Sequence, residues 1–258
     1  MPLLPLKLIQ GTKPFLIIFL SVGNFELNKI YKGDCRELIK QLPDKSIDVC
    51  LTDFPYGVEY DYKSWDDTKE NLRQLIGELM PELLRTCKLV VITTGTKNMW
   101  LYPEPTWTLA WYVPSGAGVN SWGFTCWHPI LVYGKCPYHS NNLGSRADVI
   151  RHIETTEQNG HPCPKPINLW RKVLERVSVK QTDVILDPFM GSGTTAVASI
   201  KANKQWIGFE IEQEYIDIAE KRIATELSLP SLFFGEEKKI IKKDVQSTMF
   251  NTENGNGI

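Results

Sequence analysis

This 258-residue sequence predicts an α/β fold, a mostly parallel sheet with helices on both faces. Three observations carry that prediction. From about Phe25 onward, short apolar runs alternate with stretches of helical periodicity. One run, "DVILD", opens into a glycine turn and then a helical stretch, "GTTAVASIKAN". Another, "SIDVCLT", ends in an acid, an aromatic, a proline and a second aromatic, "DFPY", where a plain connection would use small or polar residues.

The elements follow in order. "FELNKIY" reads as a strand, then "KGD" and a short helix, "CRELIKQL". "SIDVCLT" is the next strand. Leu72, Leu75, Ile76, Leu79 and Leu83 recur at helical spacing, with Pro81 expected to kink that helix or split it. "KLVVITT" is a strand, followed by a Trp- and Pro-rich stretch and the strands "TWTLAWYV" and "CWHPILVYG". Residues 136–160 are polar and aperiodic and read as a loop. "PINLWRKVLERVS" is a helix with Pro166 near its start, and "DVILD", "GTTAVASIKAN", "QWIGFEI" and "EYIDIAEKRIATEL" continue the strand and helix alternation. The expected organisation is a leader at 1–24, one domain at 25–228, and a basic, then Asn/Gly-rich tail at 229–258.

Composition bounds the partners. A formal net charge of −1 means that any phosphate binding comes from a local patch. The six cysteines form no CxxC pair, which argues against a zinc site or disulfide framework and fits reduced thiols in the cytoplasm. "PFLIIFLSVG" is too short to span a membrane, and with Lys7 and Lys13 before it imitates a weak signal peptide. The preferred reading is an extra strand, a disordered leader or an over-long start.

The glycine turn is the first functional candidate. Glycines let a ligand approach the backbone, and the following helix offers free N–H groups. Gly191, Gly193 and Ala196 match the dinucleotide spacing, and Glu210 ends the next strand, where it could hold ribose hydroxyls. Asp187 beside the turn would repel a pyrophosphate but attract a positively charged sulfonium and amino group. No lysine follows Gly193, so a P-loop fails. "GHPCPKP" presents His161 and Lys165 on a stiff turn before a helix.

Taken together, these pieces resemble the amino-group DNA methyltransferases, which methylate adenine N6 or cytosine N4. The family's turn of acid, Asn or Ser, then Pro-Pro and an aromatic stands here as Asp53-Phe54-Pro55-Tyr56. "DPFMGSGTT" is similar to its S-adenosylmethionine (AdoMet) loop, "HPCPKP" to its "HPxxKP" element, and "WHPILVYGK" to the strand beside its catalytic pocket. The match covers roughly residues 26–225, in the order of the permuted β arrangement. The resemblance implies a Rossmann-like AdoMet-dependent methyltransferase fold, a mostly parallel seven-stranded sheet with circularly permuted motifs. "FELNKIY" would then lie beside "QWIGFEI", with Asp34 near the AdoMet adenine and also able to cap its helix. It assigns catalysis to Asp53, Phe54, Pro55 and Tyr56. AdoMet binding falls to Asp34, Cys35, Asp53, His161, Lys165, Pro166, Asp187, Pro188, Phe189, Gly191, Ser192, Gly193, Thr194 and Glu210. No metal is implied.

Two departures stand out. Phe54 replaces a proline that acts through its backbone carbonyl, which any residue retains, and Pro55 keeps Phe54 extended. The target-recognition region shrinks to about residues 136–160, so specificity should be short, relaxed or shared with a second subunit. DNA is the expected partner. A homodimer and a cognate restriction enzyme are left open. Lys63, Arg146, Arg151, His152 and the "KKIIKK" tail are the phosphate candidates. "NMWLYPEPTWTLAWY" reads mostly as core and pocket wall, with Trp100 or Tyr102 as less favoured base-stacking residues. Adenine N6 is favoured because an acid at the first turn position is more typical of the adenine enzymes. Cytosine N4, guanine N2 of an RNA, a non-catalytic nucleic-acid-binding subunit and, most distantly, a nicotinamide dehydrogenase are the competing readings.

Overall fold

The computed structural model describes residues 20–60, 62, 64–116, 118–152 and 165–229. Its strands are β1 (Ser21–Val22), β2 (Phe25–Glu26), β3 (Lys29–Lys32), β4 (Ile47–Asp53), β5 (Cys87–Thr93), β6 (Trp107–Tyr112), β7 (Val119–Asn120), β8 (Gly123–Phe124), β9 (Trp127–Tyr133), β10 (Val149–Arg151), β11 (Val184–Asp187) and β12 (Gln205–Glu210). Its helices are α1 (Cys35–Leu38), α2 (Lys69–Thr86), α3 (Pro137–Ser140), α4 (Ile167–Val177), α5 (Thr194–Lys201) and α6 (Gln213–Ser228). The described residues up to Ile223 form one compact unit; a second begins at Ala224, and its described residues are helical to Ser228. Among the described residues, no helix is long and apolar enough to cross a membrane.

Among the described residues, the main sheet has eight strands in the order β10-β6-β9-β5-β4-β11-β12-β3. β9 runs antiparallel to both neighbours, and every other pairing in that sheet is parallel. β3 lies beside β12, as the motif order implies, although it starts the chain. Two expectations need correction. "FELNKIY" is not one strand: Asn28 turns the backbone to a φ of +63°, and its side chain brackets the start of β12 through Trp206 N and Gln205. The sheet has eight strands rather than seven, because residues 149–151 of the expected loop pair in parallel with the edge strand β6. Three residues in a polar stretch carry too little alternation to announce a strand; the open edge of β6 supplies the hydrogen bonds. Pro137 starts the short α3 in the same stretch.

Burial divides the core between the two sheet faces. Cys50 of β4 packs into the cluster that includes Leu72, Ile76 and Leu79 of α2. Its neighbours Val49 and Leu51 point to the other side, among Leu169, Trp170 and Val173 of α4. α2 is a single helix: Thr68 caps it, and Pro81 sits within it without splitting it. The parallel pairings leave the C-terminal ends of β3, β12, β11, β4 and β5 on one edge. In open α/β sheets that edge is where ligands bind.

Candidate active site

A cavity opens on that edge. It is lined from β4 by Asp53 and Pro55, from the glycine turn by Asp187, Pro188, Phe189, Gly191 and Ser192, and from the end of β12 by Glu210. Asp34 and Cys35 close it from the β3 side, Thr194 from α5, Trp170 from α4 and Lys165 from just before α4. Four sequence motifs, up to 176 positions apart (Asp34 to Glu210), thus meet in one place.

Asp53 ends β4 half-buried, and its two oxygens have different partners. Oδ1 accepts from Tyr56 Oη at 2.9 Å and from Thr93 Oγ1 on the neighbouring strand. Oδ2 accepts from the Lys165 ammonium, which also lies 5.0 Å from the centroid of the Tyr56 ring. Phe54, which stands where the family has proline, turns its side chain inward. It is 1% exposed and packs edge-on against Tyr102 and Phe189. The substitution therefore adds a core contact beneath the turn, one that a proline ring is too small to make.

Two residues that the sequence does not announce hold this turn. Buried Asn98 donates from Nδ2 to the carbonyls of Tyr56 (2.7 Å) and Gly57 (3.1 Å). Buried Asp67 accepts from the backbone N–H of Gly57 (2.7 Å), Val58 (3.0 Å) and Tyr60 (3.3 Å). Thr93, equally unannounced, fixes the Asp53 carboxylate. Each is one polar residue in a loop or at a strand end, with no periodicity to mark it.

The carboxylates around the glycine turn are held differently. Asp187 is buried and accepts from Thr52 Oγ1 (2.7 Å), Thr195 Oγ1 (2.5 Å) and Phe189 N (3.0 Å). Burial pushes its carboxyl up to about 6, against the opposing pull of those hydrogen bonds. Glu210 accepts from Gly191 N (2.7 Å), Ile211 N (2.9 Å) and Glu212 N (2.9 Å), and burial raises it as well. Both acids line the cavity while fastening its wall. Asp34 caps α1 through Arg36 N (2.9 Å), and the Arg36 guanidinium on it holds its carboxyl below the ordinary range. Burial pushes the Cys35 thiol up to about 12, which leaves it unreactive.

Not every expected residue reaches the cavity. Gly193 does not line it; a Cβ there would lie 2.8 Å from Cβ of Ala219, so its glycine serves the packing of α5 on α6 at a φ of +82°. Pro166 is the N-cap residue of α4, also outside the lining. His161, Lys63 and the "KKIIKK" tail lie outside the described residues. His152 cannot meet a phosphate as placed: it is 2% exposed and lies edge-on to Trp111. Arg151 is exposed, and Arg146 stacks on Tyr138. The aromatic stretch is less internal than expected, with Tyr102 buried but Trp100 80% and Trp107 59% exposed.

The lining suits a cofactor with an adenosine and a cationic centre: aromatic and apolar walls with acids at several points. Trp65, whose indole Nε1 is buried without a hydrogen-bond partner among the described residues, lines the same cavity. An acceptor on a bound molecule would satisfy it.

Residues 93–221 match the DNA methylase family of N6 and N4 methyltransferases. The chain is 27% identical to the type II methyltransferase M.HinfI of Haemophilus influenzae, over 79% of this chain and 70% of the relative. It is 28% identical to M.HpaI of Haemophilus parainfluenzae, over 74% and 72%. Among solved structures it superposes on the cytosine-N4-specific PvuII DNA methyltransferase with a TM-score of 0.60 at 16% identity, covering 83% of this chain and 90% of that one. The M1.HpyAVI–SAM complex gives 0.56 at 23% identity, covering 78% and 99%.

Proposed function

The chain belongs to the DNA methylase family, AdoMet-dependent enzymes acting on the exocyclic amino groups of adenine or cytosine, and we propose that its own target is adenine N6, gripped by Asp53. The observation that carries this reading is the position of the Asp53 carboxylate, half-buried at the rim of the cavity beside Tyr56.

The amino group of a nucleobase is a poor nucleophile because its lone pair is delocalised into the ring. In a duplex it is also out of reach, so the base must be everted at a cost of a few kcal/mol. The Tyr56 ring recovers part of that cost by stacking, on the order of 1–3 kcal/mol. Asp53 and the Phe54 carbonyl accept the two amino hydrogens. This turns the nitrogen lone pair out of the ring plane, and the carboxylate stabilises the positive charge that grows on nitrogen. AdoMet, when bound, supplies the methyl group as a sulfonium. Asp34, Cys35, Asp187, Pro188, Phe189, Gly191, Ser192, Thr194 and Glu210 are the residues that would hold it. Asn98 and Asp67 keep the turn in one conformation, so alignment is set before the base arrives.

An acid at the first turn position favours adenine over cytosine. Nucleoside mass spectrometry on DNA from methylation-deficient cells expressing the protein tests this. N6-methyladenine is the expected product; N4-methylcytosine alone would overturn the choice of base, and no modified base the reading itself.

A further inference from the structure

The Lys165 ammonium makes two of the three contacts that the proposed function gives to the target base: it donates to Asp53 and lies over the Tyr56 ring. The partition of Asp53 sharpens the coincidence. Oδ1 already accepts two hydroxyls, from Tyr56 and Thr93, which is about its capacity. Oδ2 has Lys165 as its partner, so it is the oxygen that an incoming amino group must use. The side chains of the pair are 14% and 24% exposed, neither freely solvated nor sealed.

Resting on that reading, we infer that Lys165 is an internal stand-in for the target amine, holding Oδ2 of Asp53 until an everted base displaces it. An ammonium suits this role, being a compact cation with three donors on a flexible stem. The next residue, Pro166, caps α4 and accepts from Trp170 N at 3.1 Å. The ammonium can therefore withdraw by rotating its stem while the backbone stays in place. A pocket filled by its own side chain lowers apparent affinity for the base by the fraction of molecules in which the pocket is open. Small adventitious amines face the same competition, which favours a ligand that also stacks on Tyr56.

Steady-state methyl transfer from tritiated AdoMet to DNA from a methylation-deficient host tests the inference on the full-length chain. With the competitor removed, Lys165→Met should lower the KM for DNA about tenfold. The family resemblance counts Lys165 among the AdoMet residues, but its ammonium is engaged by Asp53, so AdoMet affinity, measured by calorimetry without DNA, should stay within threefold of wild type. Lys165→Arg should shift KM the other way, upward several-fold, because a guanidinium grips a carboxylate with two parallel bonds. A merely structural lysine would not produce shifts of opposite sign. An unchanged or higher KM for Lys165→Met with an active wild type would overturn the inference alone. A tenfold loss of AdoMet affinity would make Lys165 a cofactor ligand instead. Should Lys165→Met not fold, the arginine variant decides, and an unchanged KM there is equally fatal. An inactive wild type would remove the proposed function and this inference together.

Discussion

Asp187 and Asp53 end adjacent strands of one sheet and border one cavity, yet they are held in opposite ways. Asp187 is sealed among two threonine hydroxyls and a backbone N–H. Glu210, on the next strand, accepts from three backbone N–H groups. Among the described residues, Asp53 has only side-chain partners, one of them a lysine on a long stem. A carboxylate sealed in the interior by backbone N–H groups or short buried threonine side chains is scaffold, because changing its partners means moving the fold. A half-buried one with a partner on a long flexible stem can exchange that partner, as a residue that must grip and release a substrate does. On the proposed reading, the cofactor half of the edge is fixed wall, and the turn at Asp53 is an exchangeable clasp on a rigid mount.

The largest expected effect tests the wall. Asp187→Ala would leave the two threonine hydroxyls and the Phe189 N–H without their acceptor, costing on the order of 3–5 kcal/mol in stability. Chemical denaturation should register that loss together with loss of AdoMet binding; a variant of wild-type stability would break the contrast. Next comes the mount. Asn98→Ala frees two carbonyls of the turn, which should lower kcat roughly tenfold, with stability falling by about 1–2 kcal/mol in the same denaturation assay. If kcat held, the turn would be rigid without Asn98.

A third effect is in pH. The Asp187 carboxyl sits at about 6 against an ordinary 3.8, so between those values the folded state binds its proton more tightly than the unfolded chain. Its contribution to stability is therefore greatest below about pH 4 and declines as pH rises through about 6. Melting temperatures across that window should show this slope in wild type and a flatter one in Asp187→Asn. The opposite slope difference would mean that the carboxylate is better stabilised in the fold than in water.

Much of this is legible in the sequence. The glycine turn and "DFPY" are legible because each is a motif of several residues at a strand end, and the placement of β3 beside β12 is what the family resemblance implies. β10 is not legible: three residues offer no pattern, and only the edge of β6 makes them a strand. Asn98, Asp67 and Thr93 escape sequence reasoning because a side chain bracing a distant backbone leaves no periodic trace. The glycine at 193 reads in sequence as ligand approach, whereas its neighbour is Ala219, some twenty-six residues further on. Lys165 is recognisable from its motif as part of the site, but its pairing with Asp53 across 112 positions cannot be read from spacing.

Single-turnover methyl transfer by Asp53→Ala, with AdoMet bound beforehand, addresses the clasp most directly. The carboxylate should be worth at least about a thousandfold in the rate of the chemical step, the scale of a preorganised charge in an active site, with AdoMet affinity nearly unchanged. A variant that still methylates DNA within tenfold of wild type would show that the amine is held by something other than Asp53.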